Sequence, residues 1–215
     1  MSDDLHVYSL TLGPLQANCF VVARGERALV IDPGDEASMV VRLVARRALK
    51  AEAILLTHGH FDHFGAAERL AQTWNVPVYI GRHDADEIAR PALGAWAGVR
   101  VDAVSTDPVL LDGEVALDIV VPMLAIPTPG HSPGSYTFST DGHLFAGDLI
   151  FSGSVGRTDL PGGSSRALIE SIADLVRRFP PDTVVHCGHG PDTTLGRELG
   201  LNPFFAPIRR AMEDR

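Results

Sequence analysis

The sequence predicts a mixed α/β domain over residues 1–215 in which helices cover stacked sheets. Three observations predict it. Short apolar runs recur between Gly, Pro or Asp, helical periodicity is interleaved with those runs, and 21 glycines with 15 prolines mark a loop-rich chain. In chain order, strands are predicted at residues 7–12, 19–22, 28–31 and 53–56, each apolar enough to be buried. Helical patterns cover 36–48 and 64–74, the second beginning directly after a group of histidines. The second half predicts strands at 115–121, 124–126, 136–139, 144–145 and 183–185. A helix follows strand and loop at 166–179, with Ser164 or Ser165 as its N-cap. A chain of 215 residues is long enough to bury one substantial core.

Composition narrows the partners. A formal net charge of -9 disfavours nucleic acid and anionic membrane, both of which call for basic patches, and leaves small solutes as the expected partners. Cys19 and Cys187 are too few for a disulfide framework and suit a reducing compartment. The opening MSDDLHVYSL lacks the basic-then-apolar pattern of a signal peptide, and no apolar run reaches bilayer length. A cytoplasmic location is expected.

The segment THGHFDHFGA, residues 57–66, places three histidines and an aspartate within six positions. At this composition His-x-His-x-Asp-His arises by chance in roughly one such chain in a thousand, so coincidence is a weak explanation. His58 and His60 fall on the loop leaving a predicted strand, and two residues apart in extended backbone they point the same way and can chelate one ion. Asp62 and His63 open the following helix and face a neighbouring point. Three more ligand-type residues stand at predicted strand ends, each directly after glycine: His131 after AIPTPG, Asp148 after LFAG, and His189 after VVHCG. Five histidines and two aspartates suffice for two ions, one bridging Asp and an open water position. This donor set suits Zn, Fe or Mn better than Ca or Mg, with zinc favoured.

T-H-G-H-F-D-H at 57–63, T-P-G-H-S-P-G-S at 128–135, G-D at 147–148, G-H-G at 188–190 and I-D-P-G at 31–34 together resemble the metallo-β-lactamase superfamily in order and spacing. The resemblance implies a four-layer αββα sandwich. It also implies His58, His60 and His131 on a first metal, Asp62, His63 and His189 on a second, Asp148 between them, and Asp32 propping the metal loops from below. Within the superfamily the sequence looks most like the glyoxalase II branch, the hydroxyacylglutathione hydrolases, in a compact form. Common zinc β-lactamases carry cysteine where this chain has Asp148 and lack a ligand like His63, which points away from antibiotic hydrolysis. Arg157 matches a basic glutathione-binding position of glyoxalase II, whereas the tyrosine of that family two residues on is Asp159 here. Glyoxalase II enzymes also carry a C-terminal helical domain with glutathione contacts, and with 26 residues after His189 recognition of glutathione is expected to be reduced or different. G-R-T-D at 156–159 is shared with iron-dependent persulfide dioxygenases.

Other features carry a bland reading. G-H-S-P-G at 130–134 fits the serine-hydrolase elbow pattern, but Pro133 has no N–H for an oxyanion hole. His143 reads as a solvated turn residue, His83 as the start of a surface helix, and Cys187 as a small core residue. His186 reads as buried and hydrogen-bonded, with contact to the site as the alternative. The expected reaction is attack of a hydroxide shared by two dications on a thioester such as S-lactoylglutathione. Asp62 and Asp148 are its catalytic carboxylates, and a thiolate, with a thiol pKa near ~8.5, leaves without a proton donor. A one-iron persulfide dioxygenase and a hydrolase of another ester or lactone are the alternatives.

Overall fold

The computed structural model describes residues 4–92 and 101–213. One six-stranded sheet has the order β1 (Leu5–Leu12), β2 (Ala17–Arg24), β3 (Arg27–Ile31), β4 (Lys50–Leu55), β5 (Val78–Gly81), β6 (Val109–Leu111). The other runs β14 (Thr193–Thr194), β13 (Val184–Cys187), β10 (His143–Gly147), β9 (Tyr136–Thr140), β8 (Pro122–Pro127), β7 (Val115–Asp118). A small hairpin, β11 (Ile150–Phe151) with β12 (Ser154–Val155), follows β10.

Period-two alternation makes these strands two-sided. In β2, Cys19, Val21 and Ala23 face one apolar cluster and Phe20 and Val22 another; in β4, Ile54, with Leu56 just beyond the strand, opposes Ala53 and Leu55. The second set meets Ala125, Phe138 and Phe145 of the other sheet, which forms the middle of the molecule. Outside the first sheet pack α1 (Ala37–Arg46), through Val40 and Val44, and α3 (Ala67–Trp74), through Leu70. Outside the second pack α5 (Ser165–Arg178), through Leu168, Ile172 and Leu175, and α7 (Ala206–Glu213), through Ile208. Three apolar clusters between four layers give the αββα arrangement expected from the sequence.

Several local expectations needed correction. The predicted helix at 64–74 is two pieces, α2 (Phe61–Phe64) and α3, interrupted at Gly65 and Ala66. The predicted strand at 115–121 ends at Asp118, and β8 begins at Pro122. β5 and β6 were not predicted: Val78–Gly81 is only four residues long and its flanks hide the pattern. After β5 come a single 3₁₀ turn, Arg82–Asp84, and α4 (Ala85–Ala89). Ser164 is the N-cap of α5, its side chain accepting from Ala167 N at 3.3 Å. No helix among the described residues is long and apolar enough to cross a membrane.

The C-terminal segment, α6 (Leu195–Leu201) with α7, is fastened by one carboxylate. Glu198, 1% exposed, accepts from Thr193 Oγ1 (2.6 Å), Asn202 Nδ2 (2.7 Å) and Gly153 N (2.8 Å). Glu198→Ala strands these donors and is expected to destabilise the fold by about 3 kcal/mol, read as a lower urea midpoint. A change below about 0.5 kcal/mol would show that water replaces the carboxylate freely.

Candidate metal centre

Strand direction gathers the ligand-type residues. β3 and β4 run parallel, as do β10 and β13, so the residues after each pair leave one edge of the sandwich. β8 points the same way as β10 because β9 is antiparallel to both. The loops after β3, β4, β8, β10 and β13 therefore bring Asp32, then His58, His60, Asp62 and His63, then His131, Asp148 and His189 together. Gly130 and Gly147 turn with positive φ, as their positions suggested. Gly188 serves differently: a Cβ there would lie 2.2 Å from Asp148 Oδ1.

Two groups of three ligand atoms form within this set, His58/His60/His131 and Asp62/His63/His189. Asp148 stands between them with one oxygen toward each. Its Oδ1 lies 3.3 Å from His63 Nε2 and 3.7 Å from His189 Nε2, while Oδ2 lies 3.5 Å from His131 Nε2. His189 Nε2 is 3.3 Å from Asp62 Oδ2.

The surrounding hydrogen bonds aim the rings. Thr57 N (2.8 Å) and Thr57 Oγ1 (2.6 Å) both donate to Asp32. With its proton so used, Thr57 Oγ1 accepts from His58 Nδ1 at 2.9 Å, and His63 Nδ1 donates to Asp32 Oδ2 at 3.0 Å. His131 Nδ1 donates to the Arg157 carbonyl at 2.8 Å. Each of these imidazoles thus turns a bare Nε2 inward, a tautomer inferred from the partners of Nδ1. A further trio of ligand atoms, Asp32/His58/His63, is this supporting network rather than a third metal point, because its nitrogens carry the protons donated to Thr57 and Asp32.

These residues fit a metal. His58 Nε2 and Asp148 Oδ1 are buried and have no hydrogen-bond partner among the described residues, an arrangement that costs free energy unless a cation completes it. His131 Nε2 points at His60 Nδ1 only 2.7 Å away, a separation that asks for a proton or a metal ion between the two nitrogens. Burial and the neighbouring imidazoles hold His58 well below the usual histidine range, and burial followed by His131 brings His60 down to about 4. Both are therefore neutral at physiological pH and could serve as metal ligands. Burial opposes charge at His63 as well, yet the carboxylates of Asp148, Asp32 and Asp62 outweigh it and raise its pKa. Asp148 is pushed the other way: burial is outweighed by His63, His131 and His189, so it remains a carboxylate. A proton on His63 and a metal ion would compete for the same carboxylate-lined place.

Arg157 and Asp159 stand outside this core. The Arg157 guanidinium is exposed and forks onto Asp159, with Nε at 2.7 Å and Nη2 at 2.8 Å. A cavity of ≈ 300 Å³ opens beside His60, walled by His83, Asp86, Pro133 and Pro161. His83 is exposed, as expected, but borders this cavity. His143 is not a solvated turn residue: it is half-buried at the start of β10 and its Nδ1 lies 3.0 Å from His186 Nε2. His186 is buried, bonded on its other nitrogen to Asp192 Oδ2 at 2.8 Å and stacked on Phe145, so both ring nitrogens are committed away from the ligand groups. Cys187 is fully buried, and burial raises its thiol pKa to about 12.

Two residues near the centre escaped the sequence reading. Asn18 donates through Nδ2 to the carbonyls of Cys187 (3.0 Å) and Gly190 (2.8 Å), while its own N–H donates to Gly188 O (2.7 Å), clasping the loop that carries His189. No local signal marks it, because the predicted strand begins at Cys19 and Asn18 joins β2 only in the structure. Asp84 follows β5, and its position at a strand end was invisible once that strand went unpredicted.

The family model for the metallo-beta-lactamase superfamily matches residues 12–189. Hydroxyacylglutathione hydrolase GloC of Haemophilus influenzae is 32% identical over 94% of this chain and 98% of its own length. The crystal structure of BLEG-1, a B3 metallo-beta-lactamase, superposes with a TM-score of 0.89 at 36% identity, covering 94% of this chain and 100% of that one. TTHA1623, in a di-iron-bound form, gives a TM-score of 0.85 at 41% identity over 92% of this chain and 100% of that one.

Proposed function

The chain belongs to the metallo-β-lactamase superfamily, and from that premise we propose that it is a two-metal hydrolase of thioesters such as S-lactoylglutathione. The carrying observation is Asp148, which turns one oxygen toward His63 and the other toward His131 with three ligand atoms gathered on each side. His58, His60 and His131 would hold one divalent ion, Asp62, His63 and His189 a second, and Asp148 both. Zinc is favoured, with iron or manganese as alternatives; TTHA1623 is a relative with two irons. When bound, such a pair supplies a shared water of lowered pKa and a Lewis acid for the carbonyl oxygen.

The protein's own residues do the rest. Asp32, Thr57 and the Arg157 carbonyl keep three imidazoles in the tautomer that exposes Nε2. Burial raises the pKa of Asp62, but the hydrogen bond from His189 and the charge of His63 bring it below the ordinary carboxylate range. Its carboxylate is thus an acceptor that orients the proton of an attacking water. The cavity beside His60 gives the substrate room. A thiolate departs unprotonated, so a thioester needs no general acid at this centre, whereas an amide would.

Arg157 is the candidate contact for a substrate carboxylate, but it must first leave Asp159. Arg157→Ala is expected to raise KM for a glutathione thioester with kcat little changed. Asp159→Asn, which loosens this exposed and solvent-screened pair, is expected to lower KM modestly. Unchanged KM in both variants would separate this pair from the substrate.

The likeness to BLEG-1 supports β-lactam hydrolysis as a second reading. One anaerobic experiment ranks the readings: metal-replete protein is given S-lactoylglutathione, a chromogenic cephalosporin and, with oxygen restored, glutathione persulfide. Release of free thiol at the highest kcat/KM is expected. Faster opening of the β-lactam, or oxygen uptake with persulfide and one iron per chain, would replace the thioesterase reading.

A further inference from the structure

Asp84 lies in the 3₁₀ turn after β5, within GRHDADE, a stretch that reads as surface, yet it is 4% exposed. Its carboxylate meets three neutral donors. Gly59 N donates to Oδ2 at 2.9 Å, Ser132 Oγ to Oδ2 at 2.5 Å, and Gly134 N to Oδ1 at 2.7 Å. A buried carboxylate held by neutral groups persists only where every one of those hydrogen bonds is made. The donors come from two loops on different sheets. Gly59 lies between His58 and His60 after β4, while Ser132 and Gly134 directly follow His131 between β8 and β9.

We propose that Asp84 is the positioning residue that sets the approach of His60 to His131 and thereby shapes the three-histidine metal point. The inference rests on the metal-binding part of the function proposed above and is independent of the substrate. Close packing supports it. A Cβ on Gly59 would lie 3.0 Å from Asp84 Cβ, and one on Gly134 would lie 2.5 Å from Asp84 N, so both loops are pressed onto this residue. Ser135 Oγ accepts from Ser132 N at 3.1 Å and lies 2.6 Å from Ser132 Oγ, fixing the hydroxyl that Asp84 engages. Asp84 thus joins backbone on both sides of the 2.7 Å gap between His60 Nδ1 and His131 Nε2. The serine-elbow pattern in this loop finds its use here, with Ser132 as a strut.

The test measures zinc affinity by competition with a chelator of known affinity in full-length Asp62→Ala/His189→Ala protein, which keeps the three-histidine point and Asp148 but lacks two of the three residues of the other group. Asp84→Asn replaces one acceptor oxygen by an NH₂ facing a donor and is expected to weaken zinc binding by about tenfold or more. Ser132→Ala, which removes one donor and leaves the carboxylate, is expected to weaken it about threefold. Glu198→Ala lowers stability elsewhere and is expected to leave the affinity within about twofold, which separates positioning from a general loss of fold. Affinity within twofold of the background for Asp84→Asn, or an equal loss in Glu198→Ala, would overturn the proposal. If Asp84→Asn does not fold, Ser132→Ala decides by the same twofold limit. A background protein that binds no zinc would overturn the metal reading and the clamp with it.

Discussion

Metal-replete protein is expected to carry two divalent ions per chain, and Asp148→Ala to lose at least one of them together with about a thousandfold or more in turnover. The geometry explains the size of the effect. Asp148 is the residue whose two oxygens face both ligand groups, and its Oδ1 is buried with no hydrogen-bond partner among the described residues. With two ions bound, its removal would take negative charge from between the two ligand groups and one donor oxygen from each. Polarisation by bound metal is worth several kcal/mol, and each ~1.4 kcal/mol is a factor of ten in rate. Elemental analysis of both proteins, dialysed side by side, is the measurement. Two ions retained by Asp148→Ala would contradict a bridging role.

Alanine at His131 is expected to reduce kcat/KM by at least about a hundredfold, and alanine at His58, His60 or His189 to do the same, while His143→Ala leaves turnover near wild type. All five are histidines on or beside strand ends, so composition cannot separate them. Hydrogen bonding can. His131 fixes Nδ1 on the Arg157 carbonyl and turns Nε2 to His60, whereas His143 spends Nδ1 on His186 at the far end of β10 from Asp148. Steady-state kinetics with the metal content of each variant is the check. A loss in His143→Ala equal to that in His131→Ala would mean that the His143–His186–Asp192 chain takes part in catalysis. His83 does not serve as a second control, because it borders the cavity beside His60.

The candidate ligand set is legible because its members are local in sequence or stand at strand ends. His58, His60, Asp62 and His63 stand within six positions after an apolar run, and His131, Asp148 and His189 each follow glycine. Short apolar runs within β2, β3 and β4 likewise predicted buried strands, which the structure covers on both faces. Short elements were lost: β5 has four residues, and with it went any view of Asp84 as a strand-end residue.

By itself the sequence determined which side chains can bind metal and roughly which elements carry them, since side-chain chemistry and backbone periodicity are local properties. Only the tertiary structure decided how those side chains are aimed. Asp32 fixes His63 from 31 residues away, Asp84 reaches Ser132 across 48, and Asn18 holds the carbonyl of Cys187 across 169. The same holds for Arg157, whose carbonyl orients His131 while its guanidinium is occupied by Asp159. Such partners are ordinary polar residues with no local signature. Their role exists only once two sheets have packed and buried them, because a hydrogen bond gains its directing force where water can no longer compete for the donor.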